Sequence, residues 1–177
     1  LRSRPVLAGI MLGLLCIKPH LALLFPLALV LIRAWQAFFA AVITTLALSL
    51  TSLWLFGADT WLAFFDGMGT ARHYLETDIP LDRMPTVFAA FRQAGAALPA
   101  AYATHAAMAA VAIFAMIRLW RSAADFRLKA SGLVAATLLV SPYLFDYDLI
   151  WHAIPIFWLW ACARETRWLP GEKIMLV

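Results

Sequence analysis

Two short polar stretches interrupt long apolar runs, and both carry residues able to do chemistry. Lys18, Pro19 and His20 lie in the middle of the run over residues 5–32. The stretch SPYLFDYD, residues 141–148, breaks the run over residues 130–163. An ammonium inside a membrane helix costs ~2.5–3.5 kcal/mol, so Lys18 calls for a partner. Intramembrane charge of this kind defaults to a functional reading; the plainer alternative is a lysine snorkelling to the interface. His20 follows two residues later and could act with Lys18, or serve simple hydrogen-bonded packing. Asp146 and Asp148 flank Tyr147; in an extended tip they share a face, in a helix they do not. His152 comes four residues after Asp148, one turn deeper if a helix starts there. Such a set could pair with Lys18; the alternative for the aspartates is helix capping. His105, alone on an alanine-rich stretch, reads as a satisfied structural histidine. Arg72 and His73 are adjacent and could grip a phosphate, but read better as a solvated loop face.

The elements that must position these residues are membrane helices. Of 177 residues, 64% are hydrophobic and 14% charged, against about 45–50% and about 25% in soluble domains. A soluble domain of this length cannot bury that excess, so it faces lipid. Disorder, a disulfide scaffold and a cytosolic enzyme are excluded. The formal charge of +4 does not mark a nucleic-acid binder, because the basic residues are scattered between apolar runs. Cys16 and Cys162 both sit in apolar runs without metal-ligand spacing, and read as packing residues. No metal site is expected.

Residues 34–57 and 99–120 each suffice for one full span. Residues 5–32 are awkward: a 28-residue helix would be ~42 Å long, while two spans need about 40 residues. The same difficulty attends the 34 residues of 130–163. Proline removes a donor and restricts the preceding residue, so breaks are expected at Lys18–Pro19 and Ser141–Pro142, turning each stretch into a hairpin. Charge favours that choice. With two hairpins, Arg2, Arg4, Arg33, Arg118, Arg121, Arg127, Lys129, Arg164, Arg167 and Lys173 share one side, which is 10 of the 14 basic residues; the positive-inside rule makes that side the cytoplasm. The other side receives 7 of the 10 acids: Asp59, Asp66, Glu76, Asp78, Asp82, Asp146 and Asp148. The two tips and the loop over residues 58–98 then face outward and are expected to line one cavity, since non-helical backbone at membrane depth needs protein or water beside it. The loop should be partly helical and interfacial, with Trp61, Phe64, Phe65 and Met68 on one face and breaks at DGMG (66–69) and 78–80. Trp35, Trp54, Trp120 and Trp168 fall near span ends, as in aromatic belts.

These motifs carry a resemblance. KPH followed by LALLFPLALVL, a charged residue and AW resembles the lysine-proline segment of glycosyltransferase family 87, and SPYLFDYDLIWHAIP resembles its second signature, over residues 5–155 in all. The resemblance implies an all-α, polytopic transmembrane bundle of the GT-C kind, with two full spans, two hairpins and an extracytoplasmic loop, as one domain over residues 1–177. It further implies a multi-pass enzyme of the inner or plasma membrane that takes mannose or a related sugar from a polyprenyl-phosphate donor. The acceptor is a lipid or polysaccharide on the extracytoplasmic face; the resemblance fixes no cofactor and leaves open whether a divalent metal assists. Lys18, His20, Asp146, Tyr147, Asp148 and His152 are its candidate donor-phosphate and substrate residues. The family's catalytic aspartate lies after the first membrane helix and has no counterpart here, and Tyr147–Asp148 stand where many relatives carry His-His. The chain starts with Leu1 and stops in an apolar stretch, so it is expected to be an internal piece of a longer protein, inactive alone. The competing class is a transporter, whose helices are also broken and charged; no internal repeat with matching breaks supports it.

Overall fold

The computed structural model describes residues 3–77 and 81–166. Arg2, Asp78, Arg167, Trp168 and Lys173, and the break expected over 78–80, lie outside the described residues. All regular structure among those described is helical. The chain divides into two compact units, one ending at Asp82 and one starting at Arg83.

The first unit begins with α1 (Pro5–Leu14), a 3-10 turn (Leu15–Ile17), α2 (Pro19–Ala22) and α3 (Phe25–Leu31). Pro19 and Pro26 each start a helix, where the missing N–H costs nothing. α3 ends in a Schellman motif: Arg33 N–H donates to Val30 O (3.0 Å) and Ala34 N–H to Leu29 O (2.9 Å). Arg33 occupies the left-handed position (φ 55°), where glycine is usual. α4 (Trp35–Thr77) follows, interrupted at Gly57, whose φ of 78° and ψ of 170° are not helical.

Small residues bring α1 against α4. A Cβ on Gly9 would stand 2.6 Å from Ala40 Cβ and against the Ala37 carbonyl; one on Gly13 would stand 2.6 Å from Thr44 Cβ and 2.7 Å from Ala41 O. Only hydrogen fits at either place. The order of these pairs also sets direction. Contacts advance from residues 37–40 to 41–44 as α1 advances from 9 to 13, so α1 and α4 run parallel. Residues 15–34 therefore carry the chain back, and the stretch 5–32 doubles on itself.

α4 and α6 (Leu98–Arg121) are long and apolar enough to cross a membrane. Up to Gly57, α4 is ~33 Å long, matching a hydrocarbon core of about 30 Å. Beyond Gly57 the helix does not break at DGMG as expected; it continues to Thr77. Isolated glycines cost a helix only ~1 kcal/mol each, and Gly57 takes the kink instead.

The second unit packs one short helix on a stack of three longer antiparallel ones. α5 (Val87–Gln93) is capped by the buried Thr86, whose Oγ1 accepts from Ala89 N–H at 3.0 Å. It packs Phe88, fully buried, on Tyr102 of α6 with ring centroids 4.7 Å apart. α6 and α7 (Phe126–Val140) meet through His105 with Val140 O (3.1 Å) at one end and Trp120 Nε1–H donating to Lys129 O (2.8 Å) at the other. Trp120 is thus buried between helices, not in a lipid-facing belt as expected, because its indole N–H finds a partner there. Arg127 near the start of α7 grips Glu165 near the end of α8 (Ala153–Thr166) at 2.6 and 2.8 Å, so α7 and α8 also form a hairpin.

Candidate functional site

Lys18 sits at the point where α1 and its 3-10 turn stop. Its own backbone is out of helix (φ −123°, ψ 77°), the conformation a following proline favours. The side chain is exposed and His20 is half-buried. Extending the α1–α4 register puts Lys18 level with residues 48–49 of α4, roughly 13 Å before Gly57. An apolar cavity of about 400 Å³ opens between α1, α3 and α4, lined among others by Leu12, Cys16, Pro19, Phe25, Leu29 and Phe38. Cys16 and Pro19 flank Lys18, which places the ammonium's attachment at the rim of that cavity.

In the second unit the tip of the α7–α8 hairpin holds four candidates together. α7 ends at Val140, where Pro142 can no longer supply an N–H to the helix. His105, 5% exposed, meets the Val140 carbonyl that this break leaves over, and its Nδ1 is buried with no hydrogen bond among the described residues. His105 lies seven residues into α6, so the break sits ~10 Å short of the α6 terminus. Ser141 Oγ donates to Tyr143 O at 2.8 Å and closes the turn.

A 3-10 helix (Asp146–His152) follows and decides where the acids point. At three residues per turn, positions two apart face away from each other. Asp148 turns inward and is 2% exposed. Its carboxylate accepts from Phe145 N–H (3.3 Å) while its own N–H donates to Phe145 O (3.0 Å). Asp146 turns outward and binds Arg83 through Nε (3.1 Å) and Nη2 (3.0 Å) to Oδ2. The shared face open to Asp146 and Asp148 in an extended tip is therefore absent. His152 does not stack one turn under Asp148 either, since four residues in a 3-10 helix leave it ~120° away; its Nδ1 approaches Leu149 O at 3.3 Å. Tyr147 is exposed.

Charge is graded along the second unit. Arg118, Arg121, Arg127, Lys129 and Arg164 gather at the end away from the tip, and among the described residues Asp125 and Glu165 are the acids there. Arg127's side-chain hydrogen bonds hold both carboxyls below the usual carboxylate range, and its backbone N–H reinforces the effect on Asp125. Among the described residues no three His, Cys, Asp or Glu side chains converge to suit a metal ion.

Comparison with known families bears on this arrangement. The model of glycosyltransferase family 87 matches residues 1–142. The chain belongs to glycosyltransferase family 87. The family makes it a membrane glycosyltransferase, in keeping with its apolar helices. The match includes Lys18, His20 and the Ser141–Pro142 break, while Asp146, Tyr147, Asp148 and His152 follow it. No curated protein and no solved structure matches the chain.

Two features of this family 87 chain escape a reading of the sequence. Arg83 has no periodicity or motif to tie it to an aspartate 63 residues later. The inward turn of Asp148 depends on the helix type of the tip, which spacing alone leaves open. Thr86 could have been found, since a threonine before an apolar helical run is an N-cap signal.

Proposed function

We propose that this chain works as a multi-pass glycosyltransferase of the inner or plasma membrane. It transfers a sugar, mannose foremost, from a polyprenyl phosphate to a lipid-borne or polysaccharide glycan on the extracytoplasmic face. The acceptor hydroxyl oxygen bonds to the anomeric carbon as the bond from that carbon to the phosphate oxygen breaks. The hydroxyl proton passes to an acidic base of the kind that the family resemblance implies. The leaving lipid phosphate keeps the bonding electrons, and Lys18 stabilises that charge. His20 joins Lys18 at the phosphate or first sugar. Asp146, Tyr147, Asp148 and His152 shape the acceptor side.

The observation that carries this reading is an apolar cavity whose lining includes the residues beside Lys18. Cys16 and Pro19, on either side of Lys18, both line about 400 Å³ of hydrocarbon-walled space. A phosphate with an apolar tail is the amphiphile such a pairing suits. A lysine that only snorkels should accept arginine, which also reaches the interface; one that meets phosphate as a compact point charge should not.

The test is transfer of radiolabelled sugar in membranes carrying the full-length protein, normalised to protein level. Lys18→Ala should lower the rate about 10²-fold. Lys18→Arg should be inserted stably but impaired. Asp148→Asn should lose less, because its amide oxygen can still accept from Phe145 N–H. Wild-type rates in both Lys18 variants would remove the residue from the site.

A further inference from the structure

The end of the second unit away from the tip carries an arrangement that the transfer chemistry does not use. α6 buries Ala112, Met116 and Trp120 along one stripe. Val111, Phe114, Arg118 and Arg121, at spacings of three, four and three, share the opposite face. That face is open: Val111 is 63% and Phe114 64% exposed, and both arginines are exposed. From Leu98 to Arg118 the helix rises ~30 Å, about the thickness of a hydrocarbon core. The two arginines therefore stand at headgroup depth, with the two apolar side chains beneath them in the acyl region.

We propose that this face binds an anionic phospholipid of the leaflet at that end, its phosphodiester between Arg118 and Arg121 and an acyl chain along Phe114 and Val111. Two guanidiniums one helical turn apart offer paired N–H donors to the oxygens of a phosphate. The carboxylates nearby are already engaged. Arg127 holds Asp125 at 3.1 Å and Glu165 at 2.6 Å, and among the described residues Arg118 and Arg121 enter no ion pair. Their charge is thus left for an anion from outside the chain.

A helix C-terminus ordinarily repels an anion, because its last carbonyls carry partial negative charge. Here carbonyls at the end of α6 are covered. Leu119 O accepts from both the backbone N–H (3.2 Å) and the Oγ (2.7 Å) of Ser122. Lys129 Nζ donates to Ser122 O at 2.8 Å, which brings a third cation to the helix end next to Arg121. An ammonium has three donors, and Ser122 O takes one of them. A zwitterionic headgroup would bring its own positive charge against these three cations, so an anionic one is favoured. A soluble phosphate would gain nothing from Phe114 and Val111, which lie at acyl depth, so the occupant is a lipid.

The experiment is native mass spectrometry of the full-length protein released from detergent micelles, with dioleoyl phosphatidylglycerol and dioleoyl phosphatidylcholine as probes. Phosphatidylglycerol should be held about tenfold more tightly than phosphatidylcholine. Arg118→Gln and Arg121→Gln should each weaken phosphatidylglycerol about fivefold and leave phosphatidylcholine unchanged. Arg118→Lys keeps a charge that binds phosphate and should retain most of the affinity, which separates lost charge from lost folding. Glycerol 3-phosphate at the same concentration, which has the phosphate without the chains, should not compete. Equal retention of the two lipids, wild-type affinity in both glutamine variants, or displacement by glycerol 3-phosphate would overturn the proposal. Preferential displacement of phosphatidylglycerol by polyprenyl phosphate would give the face to the sugar donor and overturn it as well. Lys18 variants that keep full sugar transfer would refute the donor reading and leave phosphatidylglycerol retention unchanged.

Discussion

The contact between α1 and α4 gives a prediction whose sign separates close packing from ordinary helix propensity. Gly→Ala inside a helix is favourable by ~1 kcal/mol when nothing stands in the way. At Gly67 and Gly69 nothing lies within 4 Å of the added methyl, so both changes should stabilise by about that amount. At Gly9 the methyl would lie 2.6 Å from Ala40 Cβ, and at Gly13 2.6 Å from Thr44 Cβ and 2.7 Å from Ala41 O. Carbon atoms prefer about 3.5–4.0 Å, so the helices must part by roughly 1 Å. A gap of that size forfeits a quarter to a half of each dispersion contact along the seam. Overpacking of this kind costs ~1–3 kcal/mol, which outweighs the propensity gain. It would also pull Thr45 Oγ1 from the Gly13 carbonyl, now 3.3 Å away. Gly9→Ala and Gly13→Ala should therefore lower the melting midpoint in detergent, by about 2–4 °C per kcal/mol of net loss. Gly67→Ala and Gly69→Ala should raise it. Because Lys18 follows Gly13 by five residues, the first pair should also depress sugar transfer. If Gly9→Ala and Gly13→Ala raise the midpoint as the other two do, the helices are not in contact there and the parallel arrangement is refuted.

Two further outcomes follow from charge. In a full-length protein with Cys16 and Cys162 replaced, Asp66→Cys should react with an impermeant thiol reagent from outside the cell, and Ala123→Cys only after permeabilisation. The opposite pattern would reverse the topology and the proposed active face. Asp125 and Glu165 titrate below the ordinary carboxylate range because Arg127 hydrogen-bonds both side chains, with its backbone N–H adding to the effect at Asp125. A depressed folded-state pKa contributes stability that is complete above the unfolded value, about pH 4, and is lost as pH falls through the folded value. The melting difference between wild type and Arg127→Met should hold from pH 7 to about pH 5 and shrink below about pH 4; a constant difference down to strong acid would refute the pairing.

The sequence by itself determined what depends on composition and on neighbours along the chain. An excess of apolar residues requires lipid whatever the fold. Pro19 and Pro142 break helices because each lacks an N–H, a property no tertiary contact can restore. The span over residues 99–120 is legible from length, and KPH and SPYLFDYD carried the family resemblance. What needed the tertiary structure is what depends on a partner distant in sequence. Gly9 and Gly13 are ordinary glycines until Ala40 and Thr44 lie against them, and only that contact sets α1 parallel to α4. Gly57 and the DGMG glycines look equally able to break a helix, yet the kink falls at Gly57 and the helix runs through residues 66–69. Trp120 has the position of a belt residue and becomes a buried clamp because Lys129 O comes within 2.8 Å. Asp146 and Asp148 are equivalent in the sequence. The 3-10 turn sends one to Arg83 and the other beneath Phe145, because a helical tip puts residues two apart on different faces where an extended tip would put them on one.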